Sequence, residues 1–291
     1  MSRVPVPYRP HRLRIGTTAA VLAAIVYAVA AGEAGAVTLL ADEPGDRVYN
    51  VDIHVFAGSV TIRPHPEDRF AVEGATDTDD AFIEVERTRS GFVVAVRRRH
   101  RPGRYGSDIT VEVPAGVRLH VVGKEADVTI EDAGDSVYVR TYTGAIDLTR
   151  EGTHPIDLRS TSGPISVHGG SLRNAKIKSV SGRIDVSAER ASSAHIGTTD
   201  GDISLSVDRF RSGEIELRSA SGTTRLTLGS ESAAWIEMPP RGADIDPSPQ
   251  LAERRGFGVS EGRRGLSYRV GAGFARVYIS NTGGRIVLRV D

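Results

Sequence analysis

One spacing constrains this chain more than any other feature: a glycine that returns about every 19 residues between two short alternating segments. Gly144, Gly163, Gly182, Gly201 and Gly222 follow one another at intervals of 19, 19, 19 and 21 residues, a repeat length typical of solenoids. Seven residues before the glycine stand Val137, Ile156, Ala175, Ala194 and Ile215; five before stand Val139, Leu158, Ile177, Ile196 and Leu217. Two after it stand Ile146, Ile165, Ile184, Ile203 and Thr224; four after stand Leu148, Val167, Val186, Leu205 and Leu226. Apolar and polar residues therefore alternate on both sides, the mark of a strand with one buried face. The glycine falls between the two strands, where a turn asks for a permissive backbone.

Hydroxyl residues fill two more columns. Thr141, Ser160, Ser179, Thr198 and Ser219 point inward by alternation, where they can bond to backbone at a tight corner. Thr143, Ser162, Ser181, Asp200 and Ser221 lie in the bend. The same apolar offsets recur around Gly58 (Val51, Ile53, Val60, Ile62), Ala126 (Leu119, Val121, Val128, Ile130) and Gly284 (Val277, Ile279, Ile286, Leu288). Segments of one sense and one period pair laterally at about 4.8 Å. The expected fold is all-β, a single-stranded parallel β-solenoid of about 19 residues per coil over residues 48–290. A lone coil leaves both backbone edges open, so the coils must stack and the ends must be capped. Thr224 and Ala126 depart from their columns.

Two stretches break the pattern. Residues 66–113 read as irregular antiparallel strands that cap the first end, and residues 229–275, with Pro239, Pro240, Pro247 and Pro249, read as an irregular excursion. The last coil, 276–290, then closes the other end.

The N-terminus differs in character. A basic tail, residues 1–14, carries Arg3, Arg9, Arg12 and Arg14; residues 15–36 contain an apolar run closed by Glu33; residues 37–47 form a linker. This order matches a signal peptide, with small-residue cleavage sites at Ala30 or Ala36, and equally a short transmembrane anchor helix. With the positive end inside, the solenoid would lie outside the membrane, so the chain is expected to be exported and membrane-anchored or at the cell surface.

Composition removes several functions. There is no cysteine, hence no disulfide, thiolate metal site, cysteine nucleophile or lipidated cysteine anchor. The 37 basic and 37 acidic residues cancel and aromatic residues are only 5%, which argues against nucleic acid as a partner. Metal-ligand spacing is missing among His54, His65, His100, His120, His154, His168 and His195. The Ser-Gly pairs are repeat corners, not nucleophile elbows. Asp147 and Asp185 share an outward column with Ser166 and Ser204, and Asp77, Asp79 and Asp80 form a turn-like cluster; both are solvated carboxylates on this reading. No catalytic set, metal or cofactor is expected.

Two basic features stand out as candidate anion or partner sites. Arg97, Arg98, Arg99 and Arg101, with His100 and Arg104, follow a strand. Arg140, Arg159, Lys178 and Arg218 share one outward column interrupted by Gly197, with Asp157 and Glu216 nearby to neutralise them. Stacked like charges repel, so a column that keeps them invites a counter-charge.

The serial Ser-Gly corners (STSGPISV, SVSGRIDV), the segment VEVPAGVRLHVVG and the earlier FAGSVTI together resemble bacterial exported proteins of an uncharacterised domain labelled "putative adhesin" or β-strand repeat-containing. The resemblance covers about residues 48–290 and implies a right-handed β-helix-like solenoid, exported or membrane-tethered, with no catalytic residues to carry over. The functional expectation is a non-enzymatic extracytoplasmic adhesin-like or scaffold module that binds an envelope polymer or a protein partner. Two alternatives stand beside it: a polysaccharide lyase or hydrolase on a β-helix, with Tyr142 as a sugar-stacking ring, and an envelope-stress sensor. The sequence leaves the oligomeric state open.

Overall fold

The computed structural model describes residues 26–27, 38–45, 48–100, 104–239, 243–252, 255–260 and 263–291. The basic tail and most of the expected signal or anchor segment lie outside them. Of residues 15–36 only Val26–Tyr27 is described, paired antiparallel with Val85 and Glu86. Among the described residues no helix is long and apolar enough to cross a membrane.

The chain winds as the repeat requires. Each coil contributes a leading strand before the glycine and a trailing strand after it, and each kind stacks on its own kind. Val139, Leu158 and Ile177 are successive partners in the leading stack, in parallel register. Ile146, Ile165 and Ile184 are successive partners in the trailing stack. Coils around Gly58, Ala126, Gly144, Gly163, Gly182, Gly201, Gly222 and Gly284 follow in that order. The inward faces of the two stacks meet in one continuous aliphatic core, and Leu172, Ala191 and Phe210 close its third side. The result is all-β: a long, mostly parallel sheet wound into a solenoid-like stack.

The repeat glycines are needed for a different reason from the one the pattern suggests. Gly144, Gly163, Gly182 and Gly201 do not lie in the left-handed region, whereas Gly58 and Gly222 do. Their constraint is vertical. A Cβ on Gly163, Gly182 or Gly201 would overlap the carbonyl oxygen of the glycine one coil below. The glycines stack backbone on backbone, and any side chain would prise the coils apart.

The inward hydroxyl column bonds to backbone at the corners, except at Ser160, whose buried Oγ makes no hydrogen bond. Thr141 Oγ1 donates to the Gly144 carbonyl at 2.9 Å. Ser179 Oγ and Thr198 Oγ1 accept from the amides of Gly182 and Gly201 at 2.8 and 3.1 Å. In the last coil Asn281 takes this place: its Oδ1 accepts from the Gly284 amide at 2.8 Å, and its Nδ2 donates to the Gly222 carbonyl at 2.9 Å and to Thr224 Oγ1 at 3.2 Å. Thr224 is fully buried. Its hydroxyl is therefore satisfied, which explains a polar residue in an apolar column.

Both ends are threaded out of sequence order. Gly91–Arg98 and Gly106–Val113 run parallel to the two halves of Asn50–Pro64 and make a complete coil on its outer side. Beyond it, Ala81–Arg87 pairs antiparallel with Gly91–Arg98, Arg69–Thr76 with Gly106–Val113, and Thr38–Pro44 with Arg69–Thr76. Within residues 66–113 only the outer strands are thus antiparallel, and most of the expected linker is an edge strand. The C-terminal end mirrors this. Ala234–Met238 and Asp244–Pro247 pair parallel with Ala275–Asn281 and Arg285–Val290 and form the outermost coil. Residues 229–275 are therefore not a plain excursion. They hold the terminal coil, the short helix Pro249–Ala252, and an antiparallel hairpin of Arg255–Ser260 with Arg263–Val270. The coil around Gly284 lies one layer inside the end.

Candidate functional site

The outward face of the leading stack carries one of the two basic features that sequence analysis singled out. Parallel register puts Arg140, Arg159, Lys178, Gly197 and Arg218 in one column. Two residues earlier along each strand a second column reads Tyr138, Asp157, Lys176, His195 and Glu216. Both columns face solvent because their strand neighbours on either side face the core.

The two columns pair unevenly. Arg159 donates to both Asp157 carboxylate oxygens at 2.8 Å, and its guanidinium lies 5.7 Å from the Tyr138 ring centroid. Those Asp157 bonds raise the Arg159 pKa. Arg218 pairs with Glu216, and His195 Nδ1 lies 2.9 Å from the same carboxylate. Burial pushes the Glu216 pKa up, but hydrogen bonds from His195 and Arg218 outweigh it and hold the group below the ordinary carboxylate range. Lys176, Lys178 and Arg140 have no carboxylate partner among the described residues. Neutralisation by Asp157 and Glu216 thus accounts for Arg159 and Arg218 alone.

These residues line two adjoining depressions. One, of about 350 Å³, is bounded by Arg159, Lys176, Lys178, His195, Gly197 and Arg218. The other, of about 450 Å³, is bounded by Tyr138, Asp157, Asn174, Lys176, Ser193 and His195. Lys176 and His195 line both, so together they form a shallow groove across the coils. From the strand bearing Tyr138 to the strand bearing Glu216 the groove crosses four strand spacings, about 19 Å. Gly197 forms part of its floor. A Cβ there would come no nearer than 3.7 Å to any neighbour, the closest being the Arg218 backbone oxygen, so packing does not require glycine at this position.

The other basic cluster is differently placed. Arg97 pairs with Glu84 at 2.7 Å and Arg98 with Asp80 at 2.9 Å, and Arg99 lies 5.6 Å from the Phe82 ring centroid. His100 Nδ1 lies 3.1 Å from Asp80. Burial raises the Asp80 pKa, yet His100 and Arg98 together hold it lowered. These arginines fasten the hairpin of Ala81–Arg87 and Gly91–Arg98; Arg101 lies outside the described residues. Asp147, Ser166, Asp185 and Ser204 do share a column, and Asp185 is engaged by Arg183 at 2.9 Å. Tyr142 is exposed at a corner, outside both depressions. Sequence analysis passed over Lys176 and the role of His195. The column arithmetic that found Lys178 would have placed both beside it.

The chain is thus a solenoid-like stack of strand pairs with a shallow groove on one flank. The toastrack DUF4097 family model matches residues 50–238, and the chain belongs to that family. Solved structures with a similar trace include a "putative adhesin" from Parabacteroides distasonis, 13% identical, covering 88% of this chain and 97% of that one, TM-score 0.42. Others are a "putative adhesin" from Parabacteroides merdae (11% identical, 87% and 96% covered, TM-score 0.38) and one from Bacteroides fragilis (10% identical, 89% and 98% covered, TM-score 0.37). None of the curated proteins matches the chain.

Proposed function

We propose that this chain is a non-enzymatic extracytoplasmic binding module whose groove holds an anionic envelope polymer. One observation carries the reading: Lys176 and Lys178 stand in the groove without carboxylate partners among the described residues, beside a glycine that packing does not need, and Arg140, likewise unpaired, continues their face. Cations stacked about 4.8 Å apart repel one another. A chain of carboxylates or phosphates lying across the strands would relieve that repulsion, and the Tyr138 ring offers a flat apolar contact beside it. The apolar run of residues 15–31 supports placement outside the membrane.

The groove's own carboxylates favour binding over cleavage. A glycosidase needs a protonated acid, and its two carboxyls stand about 5–10 Å apart. Asp157 and Glu216 are three strand spacings apart, about 14 Å, and Glu216 is held ionised. Polygalacturonate and long-chain polyphosphate are suitable probes. Binding should weaken with salt and weaken at least tenfold in the double variant Lys176→Ser, Lys178→Ser, and the polymer should be recovered at its original length. Equal binding by the double variant would remove the groove from this account, and shortened polymer would replace binding with catalysis.

A further inference from the structure

The face that carries the groove does not end at Arg218. Register carries the Tyr138 column on from Glu216 to Tyr278 and Glu237, and the column beside it from Ser193 to Glu214, Arg276 and Trp235. Ser193 already lines the second depression, so both columns prolong the groove toward the C-terminal end of the stack. From Lys176 to the strand bearing Trp235 is four strand spacings, about 19 Å.

The surface there is aromatic. Trp235 has 38% of its surface exposed and Phe274 has 80%. Ala275 is buried, and Phe274 and Arg276 on either side of it are exposed, so Phe274 shares the outward face with the register partner of Trp235. The turn before Phe274 is held against the indole. Gly271 and Gly273 have φ of 56° and 70°, in the region that favours glycine, and a Cβ on Gly273 would lie 2.7 Å from Trp235 Nε1. Arg269 fastens the same turn: its Nη2 donates to the Ala272 carbonyl at 3.0 Å, and its guanidinium lies 5.5 Å from the indole centroid. A fixed backbone thus keeps two rings at the surface, and contiguous exposed rings mark ligand surfaces.

Charge does not hold a ligand at this end. In these columns Arg269 and Arg276 are matched by Glu214 and Glu237. A polymer of phosphates alone would gain nothing here. A sugar ring has an apolar C–H face that packs on an aromatic ring, and hydroxyls that bond to the charged groups around it. Resting on the groove reading above, we propose that the ligand is an acidic polysaccharide, with carboxylate units on Lys176 and Lys178 and a further sugar ring against Trp235 and Phe274. A lipid surface also suits exposed rings and arginines. Against it, Val26–Tyr27, the described part of the apolar run, pairs with Ala81–Arg87 at the opposite end of the stack. That strand stands ten strand spacings from the strand bearing Trp235, about 50 Å.

Trp235 is the chain's only tryptophan, so its fluorescence reports the contact directly. The full chain, held in detergent, is titrated with polygalacturonate and with long-chain polyphosphate, and affinities are read independently by calorimetry. Polygalacturonate should bind and change the emission, and polyphosphate should bind in the groove and leave it unchanged. Phe274→Ser, at a side chain too exposed to matter to the fold, should weaken polygalacturonate at least fivefold and polyphosphate not at all. Lys176→Ser with Lys178→Ser should weaken both. Polygalacturonate binding that leaves the emission unchanged, or that Phe274→Ser does not weaken, would overturn the proposal while the groove reading stands; so would binding of polyphosphate alone. An emission shift when the chain passes from detergent into anionic phospholipid nanodiscs, with no response to polygalacturonate, would assign the rings to lipid instead. Undiminished affinity of the double lysine variant for both polymers would bring down the groove reading itself.

Discussion

Two glycines separate the demands of winding from those of surface. At Gly163 a Cβ would overlap the backbone of the coil below; at Gly197 it would meet ordinary space. Gly163→Ala should cost about 1–3 kcal/mol, as overpacking does. Gly197→Ala should raise stability by about 0.5–1 kcal/mol, because glycine is a poor strand residue. Thermal unfolding of the two variants checks both signs. Asn281→Ala would strand the Gly284 amide and the Thr224 hydroxyl in the interior. About 2–3 kcal/mol of destabilisation is expected, read by denaturant unfolding. Thr224 was legible as an exception in its column, but its reason was not, because the partner lies 57 residues away in sequence. Arg150 shows the same limit: standing six residues after Gly144 it is turned inward by its offset, and only the packed neighbours reveal that its Nε and Nη1 make no hydrogen bond.

Among the elements, the outermost C-terminal coil depends on a few charges. Asp246 accepts from Arg285 at 2.7 Å and from Arg289 at 3.1 Å. Those bonds, Arg289 foremost, hold its pKa below the ordinary 3.8 against a smaller opposing effect of burial. A carboxylate whose folded pKa is depressed stabilises the fold above its unfolded pKa, and that contribution is lost as pH falls through the folded value. The strand Asp244–Pro247 should therefore loosen from Arg285–Val290 below about pH 4. Hydrogen exchange at residues 285–290 measured against pH should show earlier opening in acid, and Asp246→Asn should remove that acid step. The regular coils were legible because each repeats its neighbour's offsets. The end coils were not, since Gly91–Arg98 and Ala234–Met238 lack the corner glycine and find their partners by threading past a strand already laid down. Their alternation showed strands; nothing local showed which edge they would meet.

For the whole molecule, stability is additive along the stack, with each coil resting on its neighbours. Deleting residues 164–182 removes one period and rejoins Gly163 to Arg183 in register. That shortened chain should still unfold cooperatively, at a lower temperature. Ending the chain at residue 228 should do far more harm, because it bares the open edge of Glu214–Ser219 and Thr223–Leu228. Light scattering during thermal unfolding distinguishes the two: modest destabilisation for the first, aggregation for the second. The groove exists only at this scale, since its cations come from strands about 19 residues apart that share a face because the chain winds.

Winding can be measured directly, because the chain has no cysteine of its own. Ser187 and Ser206 are register partners on adjacent coils, whereas Ser166 and Ser204 are separated by Asp185 on the coil between them. Adjacent parallel partners lie about 4.8 Å apart, within reach of a disulfide, and positions two coils apart lie about 10 Å apart, beyond it. Under mild oxidation the double variant Ser187→Cys, Ser206→Cys should close an intramolecular disulfide, and Ser166→Cys, Ser204→Cys should not. Failure of the first pair to close, or closure of the second, would contradict the stacked winding on which the groove depends.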